Sequence, residues 1–371
     1  MNPLINIENV QNLVEMAYLP HATDAFGEQG ARAITTLLDS VKLIYQRYPP
    51  ESLRGTLTVA IGMNTTPAAP MIAAWGSPKT FQCSEELGPA LATADTGAHY
   101  VIELVPDGTY RFLQLGTDVD LREAATDALV YRYDNGVDRI LAKHHDDYVQ
   151  KVSPILASNF ANATLSSLEE AFSRYGKFAQ ESKCRILAKV WEGGVDGARL
   201  VLVNRPEWIM RDSLIQALQL VLRDANARPE HNTDDKKPVD IRVDWFASGA
   251  AALIEVKWLG RSTSVSRKPA AEGTYTDYGP QRAQDGADQL ADYLDREVRH
   301  TACTATRGYL VVFDARRKNV RGAADSLNKA DAMHFENDFL EYDPDHAKSR
   351  DDFAPPVRFF LNPRRSHFAT A

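Results

Sequence analysis

The chain has 371 residues, of which 44% are hydrophobic and 25% are charged, and its formal net charge is −8. This length suits two domains, and the composition is typical of a soluble globular protein. The charge argues against a protein that coats nucleic acid non-specifically, and no apolar run approaches the length of a transmembrane helix.

Targeting and cysteine patterns predict a cytoplasmic protein. The N-terminus carries acids and lacks the basic and apolar segments of a signal peptide. Cys83, Cys184 and Cys303 lie far apart without a CxxC pair, which indicates neither a disulfide framework nor a zinc knuckle. We therefore expect plain thiols and no membrane partner.

Residues 1–150 are expected to form an N-terminal α/β domain. Apolar residues at helical spacing predict a helix over 28–48 that ends at Pro49-Pro50. The remaining patterns predict strands at 57–61, 71–75, 100–104 and 110–115, and helices at 121–129 and from 137 onward. The role of this domain, in sensing or in partner binding, stays open.

Four consecutive side chains late in this domain can each bind a metal: His144, His145, Asp146 and Asp147. On the helix predicted there, neighbouring residues point about 100° apart, so the four cannot all reach one ion. A polar helix face is therefore the preferred interpretation.

Residues 151–371 are expected to form the second domain, after a polar linker at 153–164. Ser166 and Glu169 form a capping-box pattern that opens a helix. Strands are predicted at 185–191 and 199–203, and an apolar stripe predicts a helix after Pro206.

The segment 237–261 predicts a β-hairpin. Its first arm places Asp240 and Asp244 on one face and alternating apolar residues on the other, and its second arm places Glu255 and Lys257 on one face. Ser248-Gly249 supplies the turn. Folding about this turn brings Asp240 or Asp244 close to Glu255 and Lys257.

Clustered carboxylates repel each other unless a cation offsets their charge, and hard cations prefer oxygen ligands. Mg²⁺ is the natural candidate. Two acids, a lysine and a divalent ion form the set that phosphodiester hydrolysis requires.

Pro238, Asp240 and Glu255-Val256-Lys257 together resemble the PD-(D/E)xK motif of the restriction-endonuclease-like nucleases. In the usual motif the aspartate follows the proline directly, whereas here Val239 intervenes. Asp240 is preferred over Asp244 because it opens the arm after a proline, but the spacing to Glu255 is compatible with either.

The segments that follow extend this resemblance. Gln289 and Tyr293 share one face of a predicted helix and resemble the accessory QxxxY motif of the family, and 307–314 predicts a buried strand. The order of hairpin, helix and strand is similar to the nuclease core. The resemblance implies a restriction-endonuclease-like core, a mixed β-sheet flanked by helices, behind the N-terminal α/β domain.

The resemblance also implies the site. Asp240, Glu255 and the backbone carbonyl of Val256 would bind Mg²⁺ or Mn²⁺, and Lys257 and Gln289 would complete the catalytic set. Tyr293, Arg261 and Asp244 are candidate substrate contacts. An acid on the preceding helix, Glu207 or Asp212, is a further candidate ligand, although a first-turn acid favoured by the helix dipole explains each of them as well.

The implied function is a Mg-dependent deoxyribonuclease in prokaryotic antiviral defence or repair. Its partners would be duplex or single-stranded DNA, with a homo-oligomer or a partner protein of a defence system as further possibilities. Two basic groups would meet the DNA backbone, and the long loop over 262–284 would contact substrate. The members of these groups are Lys257, Arg261, Arg267, Lys268, Arg316, Arg317, Lys318 and Arg321. The alternatives are a catalytically silent binding or assembly module of the same fold, and an unrelated α/β enzyme.

Overall fold

The computed structural model describes residues 7–64, 71–93, 97–229, 238–264, 275–300 and 305–369. The protein is mixed α/β, with two mixed sheets flanked by helices. Its contacts divide it into two units. The first comprises Met1–Ser167, Trp245–Ala250 and Ala302–Ala305, and the second comprises Leu168–Asp244, Ala251–Thr301 and Thr306–Ala371.

The first unit is built on one sheet. Its helices are α1 (Ile7–Arg47), α2 (Leu87–Ala92) and α3 (Leu121–Ala124). Its strands are β1 (Thr56–Gly62), β2 (Lys79–Phe81), β3 (His99–Leu104), β4 (Tyr110–Leu115), β5 (Ala128–Asp134), β6 (Val137–Ala142) and β7 (His145–Val149). They follow the order β2-β4-β3-β1-β5-β6-β7, in which β1 and β3 are parallel and the other pairs are antiparallel.

Helix α1 covers one face of this sheet. Buried residues at helical spacing, such as Ile34, Leu37 and Val41, pack against Leu57 and Tyr131 of the sheet. The helix predicted over 28–48 is thereby confirmed, and α1 ends at Arg47, just before the two prolines. Non-helical backbone at Phe26 and Gly27 bends α1 before that stretch.

Two predictions in the first unit are wrong because tertiary contacts override the local pattern. The segment predicted as a strand at 71–75 forms a 3₁₀-helix, Met71–Ala74, whose first amides donate to the buried carboxylate of Glu103. The helix predicted over 121–129 stops at Ala124, because the residues that follow pair with β1 as strand β5.

The helix predicted from 137 onward is also wrong, and β6 and β7 occupy that stretch. Asn135 and Gly136 both have positive φ, which is the backbone of a two-residue hairpin turn favoured by Asn-Gly. The turn folds β6 back on β5. His145 and Asp147 therefore lie on a strand rather than on a polar helix face.

The second unit carries the other sheet. Its helices are α4 (Leu165–Gln180, whose first residues belong to the first unit), α5 (Glu207–Val221), α6 (Gln281–His300), α7 (Lys329–Ala332) and α8 (His346–Ser349). Its strands are β8 (Ala225–Arg228), β9 (Ile241–Trp245), β10 (Ala250–Thr263), β11 (Tyr275–Tyr278), β12 (Ala305–Ala315) and β13 (Val357–Phe360). They follow the order β13-β12-β10-β9-β8, with β11 paired to β10; β12 and β13 are parallel, whereas β9 and β11 are antiparallel to β10.

Strand β10 lies at the centre of this sheet, and helices cover both of its faces. Leu253 and Leu259 pack under α6 together with Leu290. On the opposite face α4 contacts β12, where the rings of Phe172 and Tyr309 lie 5.5 Å apart. Burial on both faces explains why the first ten residues of β10, 250–259, are apolar except for Glu255 and Lys257.

The hairpin, the helix after Pro206, the QxxxY helix and the strand at 307–314 are confirmed as β9–β10, α5, α6 and β12. The strands predicted at 185–191 and 199–203 are wrong. A 3₁₀-helix, Leu187–Val190, and a single bridge between Trp191 and Leu202 replace them. Two glycines with positive φ, Gly193 and Gly194, lie in the turn between Trp191 and Leu202.

Three further expectations concern the start of α4, the cysteines and membrane-spanning helices. Ser166 is not a helix cap, because α4 already begins at Leu165 and Ser166 lies inside its first turn, where its hydroxyl donates to Glu51. Cys83 and Cys184 are free and half-buried, and Cys303 lies outside the described residues. Among the described residues, no helix combines the length and apolar composition needed to span a bilayer.

Candidate functional site

The register of the hairpin decides which aspartate faces Glu255. Leu253 pairs with Arg242 and Ile254 with Ile241, so the next position places Glu255 opposite Asp240. The backbone N–H of Val256 donates to Asp240 Oδ2 at 2.9 Å and fixes this carboxylate beside β10. Directly opposite residues in an antiparallel pair share a face of the sheet. Asp240 therefore lies with Glu255.

Asp244 lies elsewhere on the hairpin. It pairs with Ala251 across the strands, and its carboxylate accepts from Arg242 at 2.8 Å and from Arg228 at 3.2 Å. The structure thus separates the two aspartates that the sequence left as alternatives, and brings Asp240 to Glu255.

Glu255 is the most buried acid of the site, with 1% of its surface exposed. One of its oxygens, Oε1, accepts from Lys257 Nζ. The other, Oε2, is buried and has no hydrogen-bond partner in the described part of the chain. A buried carboxylate oxygen without a donor is costly, and it is an available ligand for a cation.

Lys257 reaches three side chains. Besides Glu255, its Nζ donates to Gln289 Oε1 at 3.3 Å and lies 3.7 Å from Glu207 Oε1. Gln289 in turn donates through Nε2 to Tyr293 Oη at 2.6 Å. The helix α6 therefore holds the lysine through the QxxxY pair, and Gln289 and Tyr293 lie at the site.

Close packing of α6 on β10 depends on Gly286. A Cβ at this position would lie 2.5 Å from Lys257 Cγ and 2.9 Å from its Cε. Only a glycine lets the helix pass directly over the stem of the lysine.

Burial and mutual repulsion raise the pKa values of both acids. Desolvation raises the pKa of Asp240 to about 6, with a further increase from the charge of Glu207. Desolvation also raises the pKa of Glu255 to about 8, and the charge of Asp240 adds to this effect. Burial alone would lower the pKa of Lys257, but the carboxylates of Glu255, Glu207 and Asp240 together outweigh this effect, and the net shift is upward. The ammonium therefore stays charged, while both acids hold their protons to a higher pH than free carboxyl groups do.

Glu207 is a third acid at the site. It is the first residue of α5, and its Oε2 accepts from Arg282 at 2.7 Å while its Oε1 faces Lys257. Asp212, the other acid proposed from this helix, is mostly exposed and pairs with Arg211 at 3.4 Å. The packing of α5 thus brings Glu207 to the site and leaves Asp212 outside it.

A cleft of about 330 Å³ begins at Glu207 and Arg282. Trp208 and Arg205 stand on its exposed rim, with 60% of the Trp208 surface accessible to solvent. Arg282 lies over the ring of Tyr278 at 4.2 Å, and this pair closes one side. Tyr278 and Arg282 belong to the segment 262–284 that was expected to contact substrate, whereas Arg205 and Trp208 were not identified from the sequence. Trp208 directly follows Glu207, the first residue of α5, and this neighbouring aromatic side chain is the sequence feature that could have indicated a binding cleft.

The basic residues that were expected to contact phosphate differ in exposure and in distance from the acid cluster. Arg261 lies beyond the acid cluster on β10 and forms a two-point ion pair with Asp277 at 2.7 Å. Arg316 and Arg317 are buried, and they bind Asp314 and the carbonyl of Leu361. The expectation that Arg316 and Arg317 contact DNA is wrong, because both side chains are buried. Arg267 and Lys268, with most of the loop after β10, lie outside the described residues.

The residues present fit a divalent cation. Asp240 and Glu255 supply two carboxylates in one buried place, Glu207 adds a third nearby, and Glu255 Oε2 has no donor. An ion among them would remove the repulsion that raises both pKa values and would satisfy that oxygen.

Comparisons with known proteins add nothing to the geometry of the site. No protein-family model, no curated protein and no solved structure matches the chain.

Proposed function

We propose that the second unit is a metal-dependent nuclease with a restriction-endonuclease-like core, and that it hydrolyses phosphodiester bonds of DNA. The observation that carries this proposal is the convergence of Asp240, Glu255 and Lys257, with Glu255 Oε2 buried and lacking a donor among the described residues. These are the positions that the PD-(D/E)xK resemblance names, and α6 and β12 follow in the order that it implies.

Asp240 and Glu255 would hold Mg²⁺ or Mn²⁺, and Glu207 would add negative charge beside them. When bound, the ion supplies a positive charge that stabilises the scissile phosphate and the departing oxygen. The carboxylates hold that charge in a largely buried place, where electrostatic interactions are stronger than in bulk water.

Lys257 acts through its charge in this proposal. Its raised pKa keeps the amine protonated, so it donates hydrogen bonds and does not abstract a proton. Gln289 and Glu207 restrict the position of the ammonium, which orients a water or a phosphate oxygen in front of Glu255. Gln289 and Tyr293 are thus positioning residues in the proposed reaction.

The cleft beside Glu207 is the proposed path of the substrate strand. Arg205 supplies positive charge to a chain whose net charge is −8, whereas Arg282 is paired with Glu207. Arg211 lies 4.4 Å from the centroid of the Trp208 ring, and the exposed part of this side chain is offered to a base. Binding of DNA by this protein would therefore be local to the cleft. A cytoplasmic setting in antiviral defence, with a further protein partner, completes the proposal through the family resemblance alone.

The test is a cleavage assay on plasmid, linear duplex, single-stranded DNA and RNA with Mg²⁺, Mn²⁺ or EDTA. We expect cleavage with either ion, none with EDTA, and a loss of about 100-fold or more in Lys257→Met. Lys177→Met, an exposed lysine on α4, is the matched control and should cleave normally. Cleavage that survives both EDTA and Lys257→Met would refute the mechanism, and cleavage by neither protein would favour a silent binding module.

A further inference from the structure

A cluster of histidines and aspartates lies in the first unit, on elements that take no part in the proposed reaction. Helix α1 carries His21 and Asp24, three residues apart and so on one side of the helix. His144 ends the turn between β6 and β7, and His145 and Asp147 lie on one face of β7 because strand residues alternate. On the predicted helix, neighbouring side chains would point about 100° apart and could not all reach one ion. On the strand that is present instead, His145 and Asp147 share a face, so this argument no longer applies.

Two imidazoles converge on one carboxylate oxygen. Nε2 of His144 lies 3.1 Å from Asp24 Oδ2, and Nε2 of His145 lies 3.0 Å from the same oxygen. The ligand atoms of the three residues all lie within 4.8 Å of one another. A tetrahedral Zn²⁺ with bonds of 2.0–2.1 Å places its ligand atoms about 3.4 Å apart. The cluster therefore needs small adjustments to surround an ion.

His21 and Asp147 pack against the ring of His145 but do not face Asp24. The rings of His21 and His145 are stacked, with centroids 4.6 Å apart and planes 2° from parallel. A ligand nitrogen points to an ion in the plane of its ring, so one ion cannot lie in both of these planes. Asp147 Oδ2 lies 2.7 Å from His21 Nδ1 and holds that ring against His145. Asp147 therefore acts on the ring of His145 only through the stacked ring of His21.

Asp146 takes no part, since it points to the other face of β7. Its carboxylate accepts two hydrogen bonds from Arg139, each of 2.6 Å. The donor set facing Asp24 is consequently two nitrogens and one oxygen.

We propose that Asp24, His144 and His145 bind Zn²⁺ or another divalent ion that prefers imidazole, with water in the remaining position. Two neutral imidazoles and a carboxylate suit Zn²⁺, Co²⁺ or Ni²⁺, whereas Mg²⁺ prefers oxygen ligands alone. The site is distinct in chemistry from the three acids near Lys257. A bound ion joins α1 to the turn between β6 and β7, so it stabilises the folded first unit.

Isothermal titration of the full-length, tag-free chain with ZnCl₂, after treatment with EDTA and its removal, tests this site. In an Asp240→Asn background, where the proposed nuclease centre has lost a ligand, we expect one Zn²⁺ per chain and an affinity at least tenfold weaker when His144→Ala/His145→Ala is added. We also expect Zn²⁺ to raise the midpoint of thermal unfolding only while both histidines are present. His334→Ala in the same background should bind Zn²⁺ unchanged, which separates this site from the other histidines and from the proposed nuclease centre.

Asp24→Asn gives a second reading that does not depend on the double variant folding, because Asp24 is largely exposed. It should weaken Zn²⁺ binding and alter the visible absorption of bound Co²⁺. Absence of Zn²⁺ binding in the wild type, or unchanged binding in both cluster variants, would overturn the proposal.

Discussion

Lys257 and Glu255 lie two residues apart on β10, and the ammonium of the lysine donates to Oε1 of the glutamate while Oε2 remains buried without a donor among the described residues. A period-2 strand places both side chains under α6. The ammonium of Lys257 thus neutralises and hydrogen-bonds only one of the two carboxylate oxygens of Glu255. The unsatisfied oxygen makes the site sensitive to pH, to divalent ions and to the packing of α6.

The stability of the metal-free protein should fall as pH rises from about 4.5 to 8. The folded-state pKa of Glu255 is raised to about 8 and that of Asp240 to about 6, so in this range the folded chain holds protons that the unfolded chain has lost. Glu255→Gln removes one of these groups and should flatten the decline. Urea unfolding in EDTA across this range measures the slope, with the exposed Glu123→Gln as the control. A slope equal in the two variants would contradict the assigned cause.

Affinity for Mg²⁺ should rise with pH up to about 8. Ion binding requires the charged form of Glu255, whose pKa is raised to about 8, and of Asp240, whose pKa is raised to about 6, so between about pH 6 and 8 each bound ion displaces close to one proton, from Glu255. We expect the dissociation constant to fall by up to about tenfold per pH unit. Calorimetry in two buffers with different ionisation enthalpies counts the released protons. Binding that is independent of pH would place the ion away from Glu255.

Gly286→Ala should displace Lys257. The new methyl group would meet Lys257 Cγ at 2.5 Å and Leu310 Cδ1 at 3.1 Å, so α6 or the lysine must move. We expect a loss of about 1–3 kcal/mol in the free energy of unfolding and a larger relative loss of cleavage than of DNA binding. Gly116→Ala, where a Cβ meets no atom within 4 Å, is the matched control. Wild-type cleavage in Gly286→Ala would show that the position of the lysine does not matter.

Trp208→Ala should weaken binding of single-stranded DNA without loss of stability. The side chain is 60% exposed on the rim of the cleft, and one aromatic stacking contact is worth about 1–3 kcal/mol, which corresponds to roughly 5- to 150-fold in affinity. Trp208→Phe should restore part of the loss. Leu220→Ala, which removes an exposed apolar residue from the far end of the same helix, should have no effect. Fluorescence anisotropy with Ca²⁺ in place of Mg²⁺ would measure binding separately from cleavage.

The hairpin and its acids were readable from the sequence because local rules suffice there. Alternating residues gave both arms, and Ser248-Gly249 gave the turn between them. The preference for Asp240 came from a nearby proline, whereas the structure reaches the same residue through the strand register. That register depends on where the turn closes, which the sequence does not state to within one residue.

Other features could not be read because they depend on distant partners. Glu207 and Asp212 lie on the same helix, and only the position of Arg282 and Lys257 distinguishes them. Arg316 and Arg317 resemble surface residues in the sequence, but Asp314 and Leu361 bind them under the surface. In the first unit, Asn135-Gly136 is a local hairpin signal, and the turn that it forms is the reason that no helix exists there.

The central position of β10 determines how the site can respond to a ligand. Neighbouring strands occupy both edges of this strand and its faces are covered, so its amides should be among the last to exchange with deuterium. Glu255 and Lys257 are thus anchored in the slowest-opening part of the second unit, whereas Arg205 and Trp208 lie on the exposed rim. Adjustment to different substrates is therefore expected at the rim, where sequence change can alter selectivity while the acid and lysine pair keeps its place.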